Sequence, residues 1–290
     1  MSYIKHLEIY SPKMLQAKRI LVLSDLHISK NSDEHINEVI DDIKGHNDID
    51  LILMPGDIIH STNFLDFQGS SQILVNQMTR LTRDIPTYIS AGNHDQMIRE
   101  GFEKWHKSDY KRLKELLNTI KNITFLDNEV VDLGNIKIGD FTPSIDYYLT
   151  HHETPKAMLN EYKRVGPNIN FTKETFNILL SHDPISLLKI AHSPHGNLIP
   201  KANLVLSGHT HEGLVPYGLQ GKVSRGLVSP NYEPLPKYSM GTYQKGKTIY
   251  VINGAVNPFV ESPIINNALG TNYTIIDLLN GPKLTYKRET

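Results

Sequence analysis

The sequence predicts an α/β protein built around a largely parallel sheet. Three observations carry this. Short apolar runs alternate with segments of helical spacing, most runs end in a polar or Gly-containing turn, and no early run approaches the roughly 20 residues of a membrane span.

Arg19 to Leu23 reads as a buried strand ending at Ser24-Asp25, and residues 31–45 follow with apolar positions Ile36, Val39, Ile40 and Ile43 at helical spacing. Asp50 to Met54 is a second strand, broken by Pro55-Gly56. Residues 68–83 read as helix and Pro86 to Ser90 as a third strand. Residues 98–119 show charges on one face and Leu113, Leu116, Leu117 and Ile120 on the other, which predicts a helical insertion around 98–120 with Trp105 as a packing residue. Glu129 to Asp140 is a hairpin candidate about Gly134-Asn135. Residues 153–165 are predicted helical, and Thr175 to Leu180 and Asn203 to Leu206 are further strands. Residues 212–240 hold too many Gly and Pro for regular structure and read as an irregular loop. Tyr238 to Tyr243 and Lys247 to Ile252 can pair through Gln244-Lys245-Gly246, and Tyr273 to Leu278 and Lys283 to Tyr286 close the chain.

Composition narrows the chemistry. At 290 residues the chain fits two domains of roughly 150 residues or one layered α/β domain, and a single domain over 1–290 is the expectation. Zero Cys excludes disulfides, thiolate nucleophiles and Cys-ligated metal, so any metal is held by His, Asp, Glu, Asn or backbone oxygen. A net charge of −1 advertises neither nucleic acid nor an anionic membrane. The first residues lack the basic start and apolar run of a signal peptide, so a soluble, cytoplasmic protein with no membrane span is expected.

Five polar clusters stand where strands are predicted to end: Asp25-Leu26-His27, Gly56-Asp57, Gly92-Asn93-His94-Asp95, Ser181-His182-Asp183 and Gly208-His209-Thr210-His211. Open α/β sheets bind ligands at the carboxyl ends of their strands, so the five clusters can reach one crevice. In extended chain, residues i and i+2 share a face, which aims Asp25 with His27 and His209 with His211. Carboxylate, imidazole and amide oxygen suit Mn, Fe or Zn. Seven candidate ligands (Asp25, His27, Asp57, Asn93, His182, His209 and His211) exceed one tetrahedral ion but suit two ions sharing a carboxylate. Two divalent cations facing two carboxylates leave a net positive site that favours a phosphate. Paired ions about 3.5–4 Å apart stabilise both oxygens of an in-line displacement.

These blocks, in this order, resemble the calcineurin-like metallophosphoesterases over residues 18–211. The resemblance implies a four-layer α/β/β/α sandwich with two divalent metal ions, Mn, Fe or Zn. It implies that Asp25, His27 and His211 bind the first metal, that Asn93, His182 and His209 bind the second, and that Asp57 bridges. His94 would contact the phosphate and act as general acid, with Asp95 orienting it or tuning its pKa, while a metal-bridged hydroxide attacks. His60 stands where many members carry an acidic or polar residue three positions after the bridging Asp. Glu212-Gly213-Leu214 replaces the Gly and Gln that follow the last block in one subgroup.

The remaining nine histidines are read as ordinary, with His151-His152 noted as a solvated loop or a cleft rim. Besides Asn93 and His94, Arg225 and Tyr232 in the Gly/Pro-rich loop are candidate substrate contacts: a phosphate ligand and a stacking ring. The expected function is hydrolysis of a small soluble phosphodiester, with a phosphomonoesterase, a nuclease or a non-catalytic scaffold on the same fold as alternatives. Nucleic acid is not the favoured partner, and the sequence is silent on oligomeric state.

Overall fold

A strand opens the chain, β1 (Ser2–Ser11), where the sequence pattern had suggested no element. Its inward phase is Lys5, Leu7, Ile9 and Ser11, and a lysine in that phase breaks the apolar alternation by which strands are recognised. The computed structural model describes residues 2–29, 33–46, 48–66, 68–100, 104–108, 110–149, 154–196, 199, 201–230, 232–257 and 268–288.

Next come β2 (Lys18–Val22), α1 (Asp33–Ile43), β3 (Leu51–Pro55), α2 (Ser70–Thr82) and β4 (Thr87–Ser90), close to the sequence expectation. The expected helical insertion at 98–120 is corrected. Among the described residues it holds a hairpin, β5 (Met97–Glu100) and β6 (Lys104–Lys107), and one short helix, α3 (Lys111–Leu117). Gly101 lies within the expected helix, where glycine is unfavourable, and Glu100 instead pairs across the hairpin with Lys104. The packing role expected of Trp105 lies outside the described side chains.

The chain continues through β7 (Ile123–Phe125), β8 (Val130–Asp132) and β9 (Ile136–Asp140), the last two forming the expected hairpin, with Gly134 at φ 85°. Helices α4 (Ile145–Leu149) and α5 (Pro155–Val165) lead to β10 (Phe176–Leu180). Next is α6 (Pro184–Ala191), unassigned from sequence although its start is marked: the Asp183 carboxylate accepts from Ile185 N–H and Pro184 takes the first helical position. β11 (Leu204–Ser207) precedes the irregular segment, and β12 (Gly241–Lys245), β13 (Thr248–Ile252), β14 (Thr271–Asn280) and β15 (Thr285–Arg288) complete the fold.

One sheet runs β15-β1-β14-β2-β3-β4-β7 and the other β12-β13-β11-β10-β9-β8. Parallel pairing links β2 to β3, β4 and β7, and β9 through β10 and β11 to β13, while antiparallel pairs add β15, β12 and β8 and join β14 to β2.

Strand alternation sets the layers. Ile20 and Val22 of β2 point to the second sheet and bury against Ile178, Leu204 and Leu206, whereas Leu21 and Leu23 face Ile36 and Val39 of α1 and Leu74 of α2. On the second sheet, Leu179, Val205 and Tyr250 point away from that shared core, onto Met158 of α5 and Leu188 of α6. The order is therefore helices, sheet, sheet, helices, as the resemblance implied. Among the described residues, no helix is long and apolar enough to cross a membrane.

Candidate metal centre

The carboxyl ends of β2, β3, β4, β10 and β11 carry the five polar clusters to one place. Backbone bonds extend the sheets into these loops: Asp25 N–H donates to Gly56 O at 3.1 Å, His27 N–H to Asp57 O at 3.1 Å, and Gly208 N–H to His182 O at 3.1 Å. Two glycines permit the approach. A Cβ on Gly92 would lie 2.1 Å from Asp57 Oδ1, and one on Gly208 would lie 2.4 Å from Asp25 Oδ2.

The side chains form two adjoining sets. In one, donor atoms of Asp25, His27 and His211 lie within 4.8 Å of one another; in the other, those of Asp57, His182 and His209 do. His27 Nε2 is 3.3 Å from His211 Nε2, and His211 Nε2 is 3.4 Å from Asp25 Oδ1. His182 Nε2 is 3.1 Å from both Asp57 Oδ2 and Asn93 Oδ1. Asp57 lies between the sets, with Oδ2 also 3.9 Å from His27 Nε2. All seven expected ligands thus converge.

The donor chemistry fits a pair of divalent cations. His182 Nδ1 is 2.7 Å from the Pro55 carbonyl, which only accepts, so Nδ1 carries the proton and Nε2 faces two oxygen acceptors. A cation is the partner these three atoms share a need for. Without one, His182 itself takes that charge: burial lowers its proton affinity, but the Asp57 carboxylate outweighs this and the imidazole is pushed up to about 10. His27 moves the other way, held well below the usual range by burial and then by the neighbouring His94.

The backbone at these positions is strained. Asp25, His27, Asp57, His209, His211 and Glu212 all have positive φ, between 44° and 69°. Each left-handed non-glycine residue costs about 1–2 kcal/mol and persists where its surroundings over-determine it, as at functional sites.

His94 enters from the side. Its N–H donates to Asp57 Oδ1 at 2.9 Å, its Nδ1 donates to His60 O at 2.7 Å, and its ring meets that of His27 edge-on at 4.6 Å. The ring is thus held at Nδ1 by the His60 carbonyl, whereas the sequence reading assigns Asp95 to orient it or to tune its pKa. The Asp95 carboxylate accepts instead from the N–H groups of Asp57, Ile58, Ile59 and Gly92 at 2.8–3.1 Å, tying the Asp57 and Asn93 loops together. Burial lowers the proton affinity of His94, against the raising effect of Asp57.

Two neighbours were given no site role by the sequence reading. The His60 ring lies 5.4 Å from that of His94, and its donor atoms group with those of His27 and His94; the position three residues after Asp57 was the available signal. Tyr148 of α4 packs its ring 5.5 Å from His209, and no local pattern announced it. Arg225 and Tyr232 are exposed on the 212–240 loop, Tyr232 being 87% exposed. His151-His152 lie outside the described residues.

A family model described as calcineurin-like phosphoesterase matches residues 18–213. An uncharacterized metallophosphoesterase of Helicobacter pylori strain J99 is 28% identical over 267 residues, covering 87% of this chain and 58% of that protein, so this chain spans little more than half the length of that relative. The uncharacterized metallophosphoesterase YkuE of Bacillus subtilis is 26% identical over 274 residues, covering 87% of this chain and 81% of that one. Among solved structures, the phosphopantetheinyl hydrolase PptH of Mycobacterium tuberculosis aligns with a TM-score of 0.47 at 12% identity, over 92% of this chain and 98% of that one. Because the family match begins ahead of Asp25 and runs past His211, taking in all five strand-end clusters, the chain belongs to the calcineurin-like phosphoesterases, a family of metal-dependent hydrolases of phosphoric esters.

Proposed function

We propose that this chain hydrolyses a small phosphodiester, with Asp25, His27 and His211 holding one divalent cation, Asn93, His182 and His209 a second, and Asp57 shared between them. The observation that carries the reading is the placing of Asp57 between two sets of imidazole and carboxylate donors, with His94 bonded to the same carboxylate through its N–H. Mn, Fe and Zn all suit these donors. When bound, such cations supply Lewis acidity toward the phosphoryl oxygens and an activated water.

The residues divide the remaining work. Asp57 is fixed in direction by the His94 N–H, and Asp95 holds the Asp57 and Gly92 backbones at one separation. His94, pinned at Nδ1 by the His60 carbonyl, has Nε2 as the atom from which a proton passes to the leaving oxygen. An anionic phosphoryl group beside this ring raises its proton affinity, opposing the lowering by burial. The near-neutral net charge favours a small substrate over long nucleic acid. A monoester is the next reading.

The test is hydrolysis of a chromogenic phosphodiester and its monoester counterpart by metal-stripped protein with Mn²⁺ restored, with Asp57→Asn as control. The expected result is Mn²⁺-dependent turnover that prefers the diester and is lost in the variant. Monoester preference would replace the substrate class, and wild-type turnover by Asp57→Asn would overturn the assignment of the site.

A further inference from the structure

The loop that carries His211 is a short left-handed turn. Its φ angles are 47° at His211, 54° at Glu212, 62° at Gly213 and 56° at Leu214, and three of the four residues are not glycine. A run of this hand does not hold itself, because each L-residue in it crowds its Cβ against the following carbonyl. Backbone bonds fasten it at Gly213, whose N–H donates to Thr210 O at 2.7 Å and whose carbonyl accepts from Leu227 N–H at 2.7 Å. The middle is gripped by a side chain. Glu212 Oε1 accepts from Lys5 Nζ at 2.6 Å, and both residues are buried, 2% and 4% exposed.

Lys5 comes from β1 of the first sheet, and its Nζ also donates to Ile252 O at 2.9 Å, at the end of β13 in the second. One ammonium thus joins both sheets to the turn. The close approach of Gly254 leaves room for the Glu212 stem, since a Cβ there would lie 2.8 Å from Glu212 Cγ. A buried ion pair contributes little stability beyond what well-packed apolar side chains of the same size supply, so stability alone does not account for this one.

We propose that the Lys5–Glu212 pair is a positioning clamp: it holds the left-handed turn so that His211 presents its imidazole to the first cation. This rests on the reading of His211 as a metal ligand given under Proposed function. Glu212 is one peptide unit from His211, so relaxation of its backbone toward the right-handed region redirects the His211 side chain while the packed sheets stay in place. Neither residue touches the metal or the substrate in this account.

The experiment compares wild type, the double variant Lys5→Met/Glu212→Met and the single variant Glu212→Gln, all as the full metal-stripped chain. Free Mn²⁺ is followed by its paramagnetic resonance signal during titration, and thermal unfolding of the metal-free proteins is recorded in parallel. The double variant keeps the two side-chain stems and removes both charges together. It is expected to unfold near the wild-type temperature yet bind one of two Mn²⁺ ions at least tenfold more weakly, the other within about threefold. If the double variant does not fold, Glu212→Gln decides, with at least threefold weaker binding at one site expected. Wild-type affinity at both sites in a folded variant would overturn the clamp. So would a lowered unfolding temperature with unchanged Mn²⁺ affinity, the mark of a merely structural pair. Failure of the wild type itself to bind Mn²⁺ would be a different result: it would overturn the metal-centre reading, and this inference with it.

Discussion

Asp140→Asn should change how stability depends on pH, and the change can be worked from the structure. Asp140 ends β9, is fully buried, and accepts from Glu129 N–H at 3.2 Å through Oδ1 and from Thr142 Oγ1–H at 2.7 Å through Oδ2. Burial pushes its carboxyl up to about 7 from an ordinary 3.8, outweighing these two hydrogen bonds and a further one from the Asn128 backbone. The folded state therefore binds this proton more tightly than the unfolded state. The contribution is fully present below pH 4 and is lost as pH rises through 7. A rise of about three pH units corresponds to on the order of 4 kcal/mol over the whole window, of which about 2–3 kcal/mol falls between pH 5 and pH 8. Asparagine fits the same bonds, since its oxygen can accept from Glu129 N–H and its amide can donate to the Thr142 hydroxyl after that hydroxyl rotates. Urea unfolding of the metal-free wild type and variant at several pH values isolates the effect, because the histidines titrate in both proteins alike. The stability of Asp140→Asn relative to wild type should rise by about 2–3 kcal/mol from pH 5 to pH 8. Parallel curves would refute the reasoning and leave Asp140 with an ordinary carboxyl.

The other expectations concern the metal centre. His94→Ala should retain both metals yet lose turnover, most severely for diesters with poor leaving groups, by roughly 10²–10⁴-fold. An equal loss across a leaving-group series would remove the proton-donor role. Gly92→Ala would set a Cβ 2.1 Å from Asp57 Oδ1 and 2.6 Å from Asp57 N, so it should displace the shared carboxylate. Overpacking of this kind costs about 1–3 kcal/mol, and the Mn²⁺ stoichiometry of the folded variant should fall below that of wild type. Wild-type stoichiometry would show that the Asp57 loop yields without harm.

The parts of the fold legible in sequence were those in which local pattern and tertiary role agree. Arg19 to Leu23 reads as a strand because both of its faces are buried, and the cluster after it stands out because polar residues follow an apolar run without a break. The same contrast marks Asp57, Asn93, His182 and His209, so the candidate ligand set could be read before any contact was known. Orientation could not. That the His60 carbonyl rather than Asp95 turns the His94 ring depends on loops separated by 34 residues, and that Tyr148 meets His209 depends on a five-residue helix with little pattern of its own. β1 shows the same limit from the other side. Its alternation is broken by Lys5, a residue almost never buried without a partner, and sequence alone cannot see that the partner is Glu212, 207 residues away. Glu212 in turn stands in a left-handed turn at φ 54°, a backbone conformation that favours glycine. The two irregularities, each an obstacle to reading its own segment, are the two halves of one buried contact beside His211. Where a sequence breaks its own local rule at both ends of a long-range contact, a role beyond local structure is to be sought for that contact, and the one proposed here is to hold the adjoining His211 turn.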